Sequence, residues 1–302
     1  MSLRDEILAA KEEKDLVLVA HNYQLGIIQD TADYVGDSFG LAKKVSEMDV
    51  PYVVFCGVDF MAESAAVLNP EKVVIHPEKT SRCPMAAMVD IQELRDYKRE
   101  HPDTAVVSYV NTNIETKVES DICCTSSNAV KVVESVEEDR VLFLPDRNLG
   151  SYVKRFVDDK EVDLWDGYCA THDNITVEQI KELLEKHPDA EIVVHPECRP
   201  EVVDIADHVG STAGILKRAK ESPAKFMIIG TEREMGHRLR KEVPDKTFLF
   251  PGEPVCTNMK KITPEKVLRS LEELEPRISL DKEMMKKARK PLERMVEVGR
   301  GK

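Results

Sequence analysis

Cys83, Cys169 and Cys256 are separated by 86 and 87 residues. Each stands in a short polar stretch that reads as a loop, "SRCPMA", "DGYCATH" and "EPVCTNM". One loop cysteine per period is what a site shared by three repeated units would need. Three thiolates converging on one centre suit a soft metal or an iron–sulfur cluster. There is no local C-x-x-C, so the periodicity carries this reading against small core residues. Cys56 lies in an apolar run, and Cys123 and Cys124 lie in another; packing is their expected role. Cys198 follows "HPE", and core packing is favoured there too.

The rest of the chain repeats with nearly the same period. "ADYVGDS" (32–38) returns as "ADHVGST" (206–212) and, more loosely, as "SDICCTS" (120–126). The segments 18–38, 106–126 and 192–212 align without a gap. This places His21, Tyr109 and His195 at one equivalent position, and Ser38, Ser126 and Thr212 at another. Self-similarity on this scale implies three copies of one unit. Short β-branched runs such as "DLVLVA", "YVVFCG", "AVVSYV", "RVLFLP" and "EIVVHP" alternate with amphipathic helical stretches. They lack clean polar alternation, as strands covered on both faces should. The expected fold is α/β, with three homologous α/β/α sandwich domains whose short parallel sheets surround a pseudo-threefold axis. The expected boundaries are residues 1–86, 87–172 and 173–262, with helices over 263–302 packing back on the core. In parallel sheets ligands bind beyond the carboxyl ends of strands. His21, Tyr109 and His195 stand at such ends. The three hydroxyls stand where a strand-like "VG" or "CC" turns toward a helix. There they either cap the helix or hold an anion.

The 302 residues carry a net charge of −13. That balance argues against a nucleic-acid or anionic-membrane partner, because phosphate contacts need clustered cations. The start is charged and helix-like, and no apolar run is long enough to span a bilayer. A cytoplasmic protein is expected. Seven cysteines in such a compartment are not expected to pair. "NIT" (174–176) reads as a helix capping box formed by Thr176 and Gln179.

"AHNYQ", "VGDS", "GVDFMAE", "CPMA", "YVN", "TSSNA", "PDRNLG", "HPEC", "GST" and "MKK", in that order between about residue 18 and residue 261, resemble the quinolinate synthase family. The resemblance implies three α/β/α domains around one [4Fe-4S] cluster, with Cys83, Cys169 and Cys256 as ligands. It implies condensation of iminoaspartate with dihydroxyacetone phosphate on the route to NAD. An aspartate-oxidising enzyme is the implied supplier of iminoaspartate. Three cysteines on four irons leave one iron open as a Lewis acid, which is dehydratase-type chemistry. The resemblance places His21 and Ser38 near the triose phosphate, and Tyr109, Asn111 and Ser126 on the dicarboxylate. His195, Glu197 and Thr212 come from the third unit. Val110, Pro196 and Ser211 belong to the same motifs. Tyr23 and Glu197 are the implied acid–base pair, with Glu197 suited to abstract carbon-bound protons if burial raises its pKa. His172, three residues after Cys169, is left with an open role.

Two departures from the family pattern stand out. Ala170 replaces a frequent proline after the second cysteine, and the third cysteine stretch, "CTNM", lacks a C-x-x-C-x-x-C. Another Fe–S hydro-lyase, and a non-catalytic zinc-binding repeat protein, are the alternative readings.

Overall fold

The computed structural model describes residues 2–300. Among these residues, twelve strands form three four-stranded parallel sheets. The first holds β1 (Leu16–His21), β2 (Tyr34–Gly36), β3 (Tyr52–Cys56) and β4 (Val73–Ile75). The second holds β5 (Thr104–Tyr109), β6 (Ile122–Cys124), β7 (Arg140–Leu144) and β8 (Glu161–Leu164). The third holds β9 (Glu191–Val194), β10 (His208–Val209), β11 (Phe226–Gly230) and β12 (Thr247–Leu249). Strand order is β2-β1-β3-β4, β6-β5-β7-β8 and β10-β9-β11-β12. The expected fold class is thus present.

The repeat extends to the register. Val19 pairs with Tyr34, Val107 with Ile122, and Val193 with His208. Val17 pairs with Val53, Ala105 with Val141, and Ile192 with Ile228. Each set has one constant sequence offset, so the three units are superposable strand by strand. The central strands are buried on both faces, which explains their unbroken apolar runs.

The repeated phrase has a structural reason. Its aspartate secures the short edge strand to the first strand of the sheet. Asp33 Oδ2 accepts the Leu18 N–H, Asp121 Oδ2 that of Val106, and Asp207 Oδ2 that of Ile192, each at 2.8 Å. The backbone N–H of each aspartate returns to the carbonyl of the same strand residue. A carboxylate here satisfies an edge donor that the two- or three-residue strand does not reach.

The C-terminal segment closes over two of the sheets. The helix Lys282–Arg300 places Ala288, Leu292 and Met295 on one buried face. It packs against β6 and the helices Asp59–Leu68 and Ile114–Val118. The helix Pro264–Glu273, capped by Thr263 with proline in its first turn, lies against Leu3–Glu12. Ile7, Val267 and Leu271 are fully buried between them. The expected capping box at Thr176 and Gln179 is present.

Candidate active site and metal centre

Equivalent ends of the three sheets open onto one cavity. It contains about 710 Å³ of empty space, counting its mouth. Cys83, Cys169 and Cys256 line it together. So do His21, Tyr23, Ser38, Tyr109, Val110, Asn111, Ser126, His195, Glu197 and Thr212. Pro196 and Ser211 do not. They line an adjoining surface groove, and Ser211 caps the helix Thr212–Glu221 by accepting the Gly214 N–H at 3.3 Å.

Each cysteine precedes one turn of helix. Cys83 stands before Met85–Met88, Cys169 caps Ala170–Asp173, and Cys256 stands before Met259–Lys261. Each sulfur is met by the backbone N–H three residues on, from Ala86, His172 and Met259. Such donors favour thiolate ligands. Burial acts the other way. It pushes the Cys83 thiol up to about 12 and the Cys169 thiol well above its ordinary value, and Glu197, Cys83 and Cys256 further oppose a charge on Cys169. A cation among the three sulfurs would offset both penalties. Thus the donor set fits a metal group. Gly167 keeps the second loop close: a Cβ there would lie 2.4 Å from the Pro145 carbonyl oxygen. The other four cysteines are buried and free. Cys198 is tied to the core through its thiol, which donates to the Gly230 carbonyl at 3.3 Å.

A hydrogen-bonded chain crosses the cavity wall. Glu197 Oε2 lies 2.7 Å from His172 Nδ1. His172 Nε2 lies 2.8 Å from Thr231 Oγ1, which lies 2.6 Å from the Tyr23 hydroxyl. The rings of His172 and His195 stack, with centroids 4.8 Å apart. His172 Nδ1 is also 3.2 Å from Cys169 Sγ. Cys169, His172 and Glu197 each offer one ligand atom, all within 4.8 Å of one another, which makes them a candidate ion site as well.

Burial opposes a charge on Glu197. His172 and His195, with hydrogen bonds from His172 and Tyr109, outweigh that and hold the carboxyl below its ordinary range. The expectation of a burial-raised Glu197 is therefore overturned: its neighbours stabilise the anion more than burial penalises it. Burial lowers His21 and His195 to about 3, so both rings are neutral. It raises the Tyr23 phenol well above its usual value, so Tyr23 keeps its proton.

The hydroxyl set has a division of labour. Asp37 and Ser211 perform the capping, which leaves Ser38 and Thr212 at the first helical position facing the cavity. Asn22 Nδ2 donates to Thr212 Oγ1 at 2.8 Å, and Asn22 Oδ1 accepts from Arg238 at 2.7 Å. With Asn22 so oriented, the Thr212 hydroxyl is left to donate into the cavity. The Asn111 side-chain amide oxygen is buried and has no partner among the described residues, so a ligand donor would satisfy it.

Sequence reasoning missed Asn22 and Thr231, and left His172 undecided. A polar residue next to a predicted strand end was the only signal for the first two. The pairing of His172 with Glu197 across domains had none.

These features define a class, a triplicated α/β protein with buried acid–base groups and a thiol-rich metal-ready centre in one cavity. Comparison with known families narrows it. The family described as quinolinate synthetase A protein matches residues 5–297. Quinolinate synthase of Methanoregula boonei is 50% identical over 295 residues, covering 97% of each chain. That of Dehalococcoides mccartyi (strain CBDB1) is 50% identical over 294 residues, with 97% of each covered. That of Geobacter sp. (strain M21) is 46% identical over 300 residues, covering 99% of this chain and 98% of the relative. The chain belongs to this enzyme family. No helix among the described residues is long and apolar enough to cross a membrane.

Proposed function

We propose that the protein condenses iminoaspartate with dihydroxyacetone phosphate, giving quinolinate, phosphate and two waters in NAD biosynthesis. The observation that most supports this is the meeting, in one buried cavity, of three loop thiols with the chain from Tyr23 to Glu197. Cys83, Cys169 and Cys256 would hold one [4Fe-4S] cluster. When bound, such a cluster supplies an open iron as a Lewis acid for loss of water.

The chain's own residues do the rest. Ser38, Ser126 and Thr212 donate to the anionic groups, and Asn111 accepts from a ligand N–H or O–H. Neutral His21 and His195 bind without adding charge. Glu197, buried and held as an anion, is placed to take carbon-bound protons and to pass them on to His172. Tyr23 is the acid. Once Glu197 has taken a proton, the donor order Glu197 to His172 to Thr231 to Tyr23 lets a proton lost by Tyr23 be replaced through the chain. A reaction that oxidises aspartate must supply the imine.

A single zinc ion at Cys169, His172 and Glu197 is the second reading, supported by the closeness of their ligand atoms. Anaerobic purification distinguishes the two. A brown protein containing iron and sulfide, which forms quinolinate from freshly made iminoaspartate and dihydroxyacetone phosphate, is the expected result. Product is read by mass spectrometry. A colourless zinc protein that forms no quinolinate overturns the proposal.

A further inference from the structure

Three carboxylates repeat behind the three cysteine loops. Asp59 opens the helix Asp59–Leu68 after β3, Asp146 caps the helix Arg147–Lys154 after β7, and Glu232 follows β11. They are 87 and 86 residues apart, and each precedes its cysteine by 23 or 24 residues. Asp59 Oδ1 accepts the Cys83 backbone N–H at 3.1 Å. Glu232 Oε1 accepts that of Cys256 at 3.2 Å. The Cys169 N–H likewise meets Asp146, where it works against the burial that pushes that carboxyl well above its ordinary range.

Each acid also holds the chain beside it. Asp59 Oδ1 accepts the Phe60 N–H at 2.9 Å. Asp146 Oδ1 accepts those of Asn148 and Leu149 at 2.8 and 3.0 Å. Glu232 Oε2 accepts that of Glu234 at 2.8 Å. One carboxylate therefore ties the end of the third strand in each sheet to the loop beyond the fourth. Each cysteine stands between two restraints. Its own N–H turns outward to an acid, and its sulfur turns inward, where the third amide onward meets it. Cys56, Cys123 and Cys124 lie within strands instead, and the Cys198 N–H goes to the His195 carbonyl.

We infer that Asp59, Asp146 and Glu232 are positioning residues for the metal centre. They are not ligands. They fix the backbone of each cysteine so that the three sulfurs arrive in one arrangement, and Asp59 sets a carboxylate behind Cys83. Supporting groups of this kind orient ligands and tune the bound metal. The inference rests on the proposed cysteine ligand set.

Asp59 gives the cleanest test, because it does not line the cavity. Full-length wild type, Asp59→Ala, Asp59→Asn and Cys83→Ser are reconstituted anaerobically with iron and sulfide. Iron content, the rate of iron loss to a chelator, and the reduction potential followed by electron paramagnetic resonance are measured. Asp59→Ala is expected to lose iron about 10-fold faster than wild type or more. Asp59→Asn keeps an oxygen acceptor for the Cys83 N–H, so it holds iron at the wild-type rate. Its potential shifts upward, because a negative charge is gone. Wild-type iron retention in Asp59→Ala, with cluster loss in Cys83→Ser, overturns the inference and leaves the ligand set standing. A complete cluster in Cys83→Ser overturns the ligand set itself. If Asp59→Ala does not fold, an unshifted potential in Asp59→Asn, or iron loss from it tenfold faster than wild type, overturns the inference.

Discussion

His172 Nδ1 lies 2.7 Å from Glu197 Oε2, and Nε2 of the same ring reaches Tyr23 through Thr231. Tyr23 and Glu197 come from different repeats, and this imidazole makes them one hydrogen-bonded unit. Thr231 is the weak point of the unit, because it has only a hydroxyl to relay with. Thr231→Val keeps the volume and removes the relay. Turnover should fall about 100-fold, at the lower end of what a general acid–base contribution supplies. KM and iron content should stay near wild type, and Thr231→Ser should restore most of the rate. Anaerobic steady-state kinetics decide it. A rise in KM at unchanged kcat would assign Thr231 to binding instead.

Asn22 gives a different signature. Its side-chain hydrogen bonds go to Thr212 and Arg238 rather than to the acid–base chain, so it orients the Thr212 hydroxyl, and Arg238 orients it in turn. Asn22→Ala frees that hydroxyl to rotate. The expected loss is one hydrogen bond, about 1 kcal/mol. That is a five- to tenfold rise, roughly, in KM for the anionic substrate, with kcat little changed. A proportionate fall in kcat at constant KM would show that Asn22 acts on the chemistry.

Much of this was legible in the sequence because repetition marks residues that composition does not. The three cysteines share one residue type and one period. The phrase around Asp33, Asp121 and Asp207 was legible for the same reason, since three edge strands need the same backbone acceptor. Asp59, Asp146 and Glu232 have the same period but escaped notice. One of them is a glutamate, and their spacing to the cysteine slips by one residue. The Glu197–His172 pair was illegible in principle, because it exists only once two repeats have docked. The sign of the Glu197 shift followed from that. Burial was foreseeable, and the neighbours that outweigh it were not.

The edge-strand aspartates predict a stability effect apart from function. Asp121 is itself exposed, but the Val106 N–H it accepts is buried. Asp121→Ala leaves that donor without its partner. A cost of about 1 kcal/mol is expected, the low end for a bond to a charged group because solvent screens this one. Urea unfolding should show a lower midpoint with an unchanged slope, and Asp121→Asn should recover part of the loss. An unchanged midpoint would mean that water replaces the carboxylate without penalty.

Acid should destabilise the protein through its buried histidines. His21 and His195 have their pKa lowered to about 3 by burial, while an unfolded histidine titrates near 6.5. Between those values the unfolded chain binds protons that the folded chain refuses, so stability falls as pH drops from about 6.5 toward 3. The slope is at most about 1.4 kcal/mol per pH unit for each histidine. Glu197 acts in the same direction at lower pH. Its folded pKa is depressed, so its contribution is present above the unfolded carboxyl value near 4.5 and is lost as pH falls through the folded one. Urea unfolding at pH 7 and pH 5 should therefore show a marked loss that precedes carboxylate titration. His21→Gln should reduce the loss between those two values, since one refused proton disappears while those of His195, His76 and His208 remain. An equal loss in wild type and His21→Gln would show that the His21 ring takes up its proton while folded, and the neutral assignment in the cavity would fall with it.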